Sequence, residues 1–177
     1  HGFVSMVPSY KKGFYVTWLD GRNTVVNSKE AHHKAMTIRF AEITSTGKII
    51  NETELDATTC DCCQTSIAKT TEGPIVVYRN RSEGEIRDIF ITRYKDGIWE
   101  KPRPVHNDGW VINGCPVNGP KVVVNSTNTA VAWFTAAEGK PKVNVSFSES
   151  DGIDFKSPIQ LNDFNALGRV DVAFLNS

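Results

Sequence analysis

The chain has 177 residues, of which 40% are hydrophobic and 23% charged, and its 20 basic side chains balance its 20 acidic ones. This balance argues against a nucleic-acid-binding protein or a protein of anionic membrane surfaces, because both usually carry a basic excess. No apolar run approaches the ~20 residues that a membrane span needs, so we expect no membrane span.

The N-terminal part is predicted to form four short strands rich in β-branched and aromatic residues. Their expected bounds are 3–7, 14–19, 36–43 and 52–55. A longer loop, 20–35, separates the second and third of them. His32 and His33 in this loop are more typical of a solvated pair than of metal ligands.

Two further units follow, and they share one register. Three pairs of corresponding residues are each 55 apart: Ile75 and Ala130, Glu83 and Glu138, Asp96 and Asp151. The second unit is predicted to have strands at 65–69, 74–79, 88–94 and 101–105, and the third at 121–125, 129–134, 142–147 and 157–161. A further strand is expected over 168–175.

Four strands in each repeat of this length are typical of a β-propeller, so we predict an all-β fold built from four-stranded antiparallel blades. The blades would cover about 1–57, 58–112 and 113–166, with the next one starting at 167. A β-sandwich is the alternative, but it does not explain the fixed register. Three blades do not close a ring, so we expect the chain to belong to a propeller of about six blades whose other blades are missing here.

Turn motifs carry a family resemblance. The segment Ser148–Pro158, with Asp151-Gly152 and Phe155, resembles the Asp-box (BNR repeat) of sialidase-like propellers, and the segment Arg93–Pro102 is similar. The phrases Thr17–Arg22, Cys60–Thr65 and Gly114–Pro120 look like a bacterial subgroup of that family. The resemblance implies a sialidase (neuraminidase)-like propeller, a glycosidase acting on acidic glycans of the sialic-acid type.

Known sialidases bind the substrate carboxylate with clustered arginines and use a Tyr/Glu nucleophile pair with an Asp acid/base. Their early Phe-Arg-Ile-Pro segment is absent from this sequence. A propeller that binds a carbohydrate or another partner without catalysis is therefore kept as an alternative, and so is a metal-binding propeller.

The alternation of strand direction gathers polar residues at one end of the blades. There Arg22, Arg79, Arg81 and Arg169 are predicted to form a clamp for a carboxylate, since guanidinium groups bind carboxylates bidentately. The predicted acid/base and nucleophile candidates are Asp20, Asp171 and Tyr78, and Gln64 and Asn118 are predicted to contact substrate. The competing interpretation is that the charged residues form salt bridges between loops. Trp110 either stacks on a sugar ring or packs between blades.

Four cysteines precede innermost strands of neighbouring blades: Cys60, Cys62, Cys63 and Cys115. One hypothesis is a disulfide from Cys115 to Cys62 or Cys63. The other is a copper or zinc site, because thiolates favour these ions. Sialidase chemistry itself requires no cofactor. A disulfide would agree with an extracytoplasmic protein, periplasmic or secreted.

Overall fold

The computed structural model describes residues 2–24 and 35–175, so the predictions for His32 and His33 lie outside the described residues. In this part of the chain thirteen strands form three antiparallel sheets. The first sheet has the order β1 (Gly2–Pro8), β2 (Phe14–Asp20), β3 (Met36–Ile43), β4 (Ile49–Thr59). The second has the order β5 (Ser66–Lys69), β6 (Pro74–Arg79), β7 (Ile89–Lys95), β8 (Ile98–Trp99), with β9 (Arg103–Pro104) also paired to β7. The third has the order β10 (Lys121–Asn125), β11 (Asn128–Thr135), β12 (Lys142–Ser148), β13 (Ile159–Gln160).

The predicted fold class is confirmed: the sheets are sequential and antiparallel, and each contains a path of four strands as the blades of a β-propeller do, with β9 as a fifth strand in the second sheet. Short 3-10 turns at Glu83–Glu85 and Ala137–Gly139 are the helical segments of the described residues. None of the helices in this part of the chain is long and apolar enough to cross a membrane.

Several details differ from the predicted strands. The fourth strand predicted over 101–105 is only Arg103–Pro104, with a separate short strand at Ile98–Trp99, and the one predicted over 157–161 is only Ile159–Gln160. β4 runs over Ile49–Thr59, longer than expected, and its register against β3 shifts at three places. Residues 168–175 form no strand in the described part of the chain, because no neighbouring strand pairs with them there. The tight turns expected at Asp96-Gly97 and Asp151-Gly152 are present, and all four residues have positive φ.

The core lies between the blades. β6 is buried along its whole length, and its side chains alternate between two hydrophobic clusters. Val76 and Tyr78 pack toward the first blade with Leu19 and Ile38, whereas Ile75 and Val77 pack toward the third blade. Trp133 fills the second cluster. Because both faces of β6 pack against a neighbouring blade, the strand carries apolar side chains on both faces.

The innermost strands β1, β5 and β10 lie side by side. Side chains join their blades: the Thr65 hydroxyl donates to the Phe3 carbonyl at 2.7 Å, and the Val122 amide donates to Ser66 Oγ at 3.1 Å. Two ends of the blades follow from strand direction. We call the end with Gly2, Ser66 and Lys121 the channel rim, and the end with Gly47, Asp96-Gly97 and Asp151-Gly152 the turn face.

Candidate functional site at the channel rim

A cavity of about 370 Å³ opens at the channel rim, beside the starts of the innermost strands. Gln64, Gly119, Lys121 and Arg169 are among its lining residues. Gln64 precedes β5, Gly119 precedes β10, and Arg169 follows the third blade, so three separate segments meet here. The structure thus brings together three of the predicted residues: Gln64 and Arg169 directly, and Asn118 immediately behind them.

Hydrogen bonds fix these segments to one another. The Gly119 amide donates to Gln64 Oε1 at 2.9 Å, and the Arg169 amide donates to Asn118 Oδ1 at 2.8 Å. Asn118 is buried and also donates from Nδ2 to the Pro116 carbonyl at 3.0 Å. Asn118 therefore positions Arg169 and is not itself open to a ligand.

Two glycines make this close approach possible. A Cβ on Gly119 would overlap the backbone of Gln64, and a Cβ on Gly168 would overlap the side chain of Asn118. Gly168 also has φ of +89°, a conformation that L side chains rarely adopt. Both positions therefore require glycine for the rim to assemble.

Arg169 differs in its surroundings from the other three arginines of the predicted clamp. It is exposed, and its side chain forms no ion pair with any residue in the described ranges. Lys121, which lies in the same cavity, has a long contact of 3.6 Å with the exposed carboxylate of Asp171. The rim cavity therefore presents positive charge. Asp171 pairs with Lys121, and its side chain is exposed to solvent.

Arg22 is neutralised within its own blade. Its guanidinium donates to both Asp20 oxygens, at 3.0 and 2.7 Å, and contacts Glu52 at 2.9 Å. Burial alone would raise the pKa of Asp20, but hydrogen bonds from Arg22 and Trp18 overcome this and lower it to about 2. Asp20 is thus ionised at neutral pH and has no proton to donate as a general acid.

Arg79 and Arg81 are also engaged. Arg79 is fully buried, and its guanidinium donates to the carbonyls of Asn118, Arg87 and Phe134 and lies 4.8 Å from the Trp110 ring centroid. Arg81 pairs with Glu85 at 2.8 Å and with Asp61 at 3.4 Å. The four arginines therefore do not converge on one site. For Arg22 and Arg81 the salt-bridge interpretation describes the geometry.

Tyr78 lies between the first and second blades, in the hydrophobic cluster that joins them. It is completely buried, and its hydroxyl donates to Asp56 Oδ2 at 2.5 Å. Burial and the neighbouring Asp56 carboxylate both raise the pKa of Tyr78, so the phenol stays neutral. Trp110 likewise packs between blades, with its ring edge against Phe134 at 5.6 Å.

The cysteines form two disulfides, Cys60–Cys63 and Cys62–Cys115, with Cα–Cα distances of 5.7 and 6.2 Å. The predicted link from Cys115 to Cys62 is confirmed, and it ties the loop before β5 to the loop before β10. Three of the sulfur atoms, from Cys60, Cys62 and Cys63, lie within 4.8 Å of one another. In this pairing they are not thiolates, so a copper or zinc site would require reduction first.

Lys121 is the rim residue that sequence reasoning missed. It is the first residue of the innermost strand β10 and lies next to Gly119, so its position at the channel mouth follows from the same blade geometry that placed Gln64. The signal was available in the repeat register. It was missed because lysine at a strand start is ordinary.

No family model and no curated protein matches the chain. Among solved structures, the chain is similar to a GH32 beta-fructofuranosidase mutant of Bombyx mori in complex with sucrose. The identity is 13% and the TM-score 0.45, over 88% of this chain and 33% of that one. The chain therefore spans about a third of that protein's length, and nothing about substrate or mechanism follows from so distant a likeness.

Proposed function

We propose that the protein is a sialidase-like, glycosidase-type propeller that binds the carboxylate of an acidic sugar at the channel rim. The observation that supports this is Arg169. It lies in the rim cavity, is fixed through its backbone by Asn118, and has no carboxylate partner among the described residues.

The ligand chemistry follows from the groups around it. A guanidinium binds a carboxylate with two parallel hydrogen bonds, and Lys121 adds a second positive charge in the same cavity. The oxygen of the Gln64 amide is used by Gly119, which leaves its nitrogen to donate to a sugar hydroxyl. A small acidic sugar of the sialic-acid type meets all three groups.

Binding at this rim has better support than hydrolysis by the predicted catalytic residues. Asp20 is locked to Arg22 with a low pKa, and Tyr78 is buried against Asp56. Asp171 is exposed and pairs with Lys121. Hydrolysis would need an acid and a nucleophile other than these three. The two disulfides favour an extracytoplasmic location, where such bonds persist.

The test is calorimetric titration of the complete protein with N-acetylneuraminic acid and with a neutral sugar of similar size. The acidic sugar should bind more tightly, and Arg169→Ala should weaken its binding about tenfold or more while leaving the neutral sugar unaffected. Arg22→Ala is the matched control, because its guanidinium already has two carboxylate partners at the same end of the blades.

Equal binding of the acidic and neutral sugars would overturn the proposal. So would an Arg169→Ala protein that binds N-acetylneuraminic acid as well as the parent does.

A further inference from the structure

A second cavity, of about 480 Å³, lies on the turn face between the first and second blades. Its wall contains a continuous row of five aromatic rings. Successive ring centroids lie 6.1, 5.7, 4.8 and 5.5 Å apart, in the order Tyr10, Tyr15, Phe40, Trp99, Tyr94. Both blades supply rings, and Tyr10 at the outer end is half exposed. We call this cavity the aromatic groove.

A buried carboxylate stands in the same groove. Glu42 is only 6% exposed, and its one hydrogen bond in the described part of the chain is a long one, from Asn51 Nδ2 at 3.4 Å. No lysine or arginine of the described residues lies within salt-bridge distance of it. A buried carboxylate is costly unless a cation or strong donors compensate it.

The other carboxylates of the groove do have cations. Glu52 contacts Arg22 and Arg39 at 2.9 and 3.0 Å. Glu72 contacts Arg93 and Lys95 at 3.1 and 3.0 Å. Glu42 is therefore the carboxylate of this groove that has no lysine or arginine partner among the described residues, although Lys11 also lines the groove. The aromatic rings attract cations through their π faces, and Lys69 Nζ already lies over the Tyr10 ring at the outer end, 4.5 Å from its centroid.

We propose that the aromatic groove is a second binding site, for a sugar that carries a free amino group. The ammonium group pairs with Glu42, the apolar face of the sugar ring lies on the aromatic row, and hydroxyls meet Asn51 and Thr53 at the groove edge. Charge complementarity selects this occupant over a neutral sugar, because an ammonium group both donates hydrogen bonds to Glu42 and neutralises its charge, whereas a hydroxyl only donates. The site is independent of the rim proposal and lies at the opposite end of the blades.

The experiment compares two disaccharides of the same linkage on the complete protein. β-1,4-linked glucosamine disaccharide carries ammonium groups where cellobiose carries hydroxyls. Calorimetric titration at mildly acidic pH, where the amino groups of the sugar are protonated, should show the glucosamine disaccharide binding about tenfold or more tightly than cellobiose. Glu42→Gln should abolish that preference, whereas Glu54→Gln, which removes a neighbouring carboxylate outside the groove, should keep it.

A stability measurement guards against a folding artefact. Glu42→Gln removes a buried, uncompensated charge, so the ligand-free variant should melt at the same temperature as the parent or higher. Tyr10→Ala, at the exposed end of the row, should weaken binding of the glucosamine disaccharide several-fold. Equal binding of the two disaccharides, or a Glu42→Gln protein that keeps the preference, would overturn the proposal, as would a Glu42→Gln protein that melts lower than the parent.

Discussion

At the scale of single residues, the charged side chains of the channel rim divide into engaged and available groups. Asp20 accepts hydrogen bonds from Trp18 and from three nitrogens of Arg22, so its charge is compensated inside the first blade. Arg169, by contrast, is held through its backbone amide, and its guanidinium faces the rim cavity without a counter-ion in the described residues. A guanidinium without a carboxylate partner in the protein is able to bind a ligand, whereas one that is already paired has a structural role.

The low pKa of Asp20 gives a stability prediction. A folded-state pKa of about 2, below the ordinary 3.8, means that the group stabilises the fold above pH ~4 and that this contribution is lost as the pH falls through 2. Asp20→Asn should lower the free energy of unfolding at pH 7 by about 2 kcal/mol. Urea denaturation should show the difference between parent and variant shrinking between pH 4 and pH 2. A difference that stays constant over this range would contradict the pairing with Arg22.

One substitution, Tyr78→Phe, distinguishes a structural role of the Tyr78 hydroxyl from a catalytic one. Tyr78→Phe removes the hydrogen bond to Asp56 and should destabilise the fold by about 1–3 kcal/mol, because the acceptor is charged. Sugar binding by the folded variant should be unchanged. Loss of binding or of a glycosidase activity at full folding would indicate that the phenol takes part in chemistry.

At the scale of elements, the loops before the innermost strands are what assemble the rim. The Cys62–Cys115 disulfide and the hydrogen bond from Gly119 to Gln64 both join the loop before β5 to the loop before β10. Arg79, at the end of β6, reaches the same place and donates to the Asn118 carbonyl at 2.7 Å. Arg79 therefore serves the site indirectly, by supporting the segment that holds Arg169.

The two disulfides should contribute unequally to stability. Cys62–Cys115 closes a loop with a sequence separation of 53, and Cys60–Cys63 one with a separation of 3. On the chain-entropy model, replacing the first pair with serine should cost about 4 kcal/mol, and replacing the second about 2 kcal/mol. Denaturant titration of the two double variants checks the order. Equal losses, or a larger loss for Cys60 and Cys63, would contradict the pairing.

The strands could be predicted from the sequence more accurately than the ion-pair partners of the charged side chains. Strands such as Pro74–Arg79 were predictable because apolar periodicity and flanking turn residues are local signals, and the shared register made the blades predictable as well. The long-range partner of Arg22 was not predictable, because Glu52 comes from the outermost strand, whereas Asp20 and Glu85 lie only two and four residues from their arginines. Side chains that meet across a sheet leave no trace in local spacing.

The aromatic groove illustrates the same limit. Its rings come from the β1–β2 hairpin and four different strands of two blades, and in sequence each looks like an ordinary core residue. Glu42 on β3 gives no signal either, because an acidic residue between apolar neighbours usually points to solvent. In the folded chain it is buried, in a groove that both the first and the second blade line.

At the scale of the whole molecule, the blades separate two kinds of surface. The channel rim presents Arg169 and Lys121 and suits an anion, whereas the aromatic groove on the turn face presents Glu42 and suits a cation. Strand length keeps the two surfaces apart, since each lies at its own end of the β-strands. One acidic ligand should therefore occupy the rim and leave the groove unaffected.

The most direct measurement follows resonances of the isotope-labelled complete protein during titration with N-acetylneuraminic acid. The binding proposal predicts that the side-chain signals of Arg169 and Gln64 and the amide of Gly119 shift with saturation, while the signals of Tyr10 and Trp99 in the aromatic groove do not. Rim signals that stay unchanged at saturating ligand, with shifts confined to another part of the molecule, would contradict it.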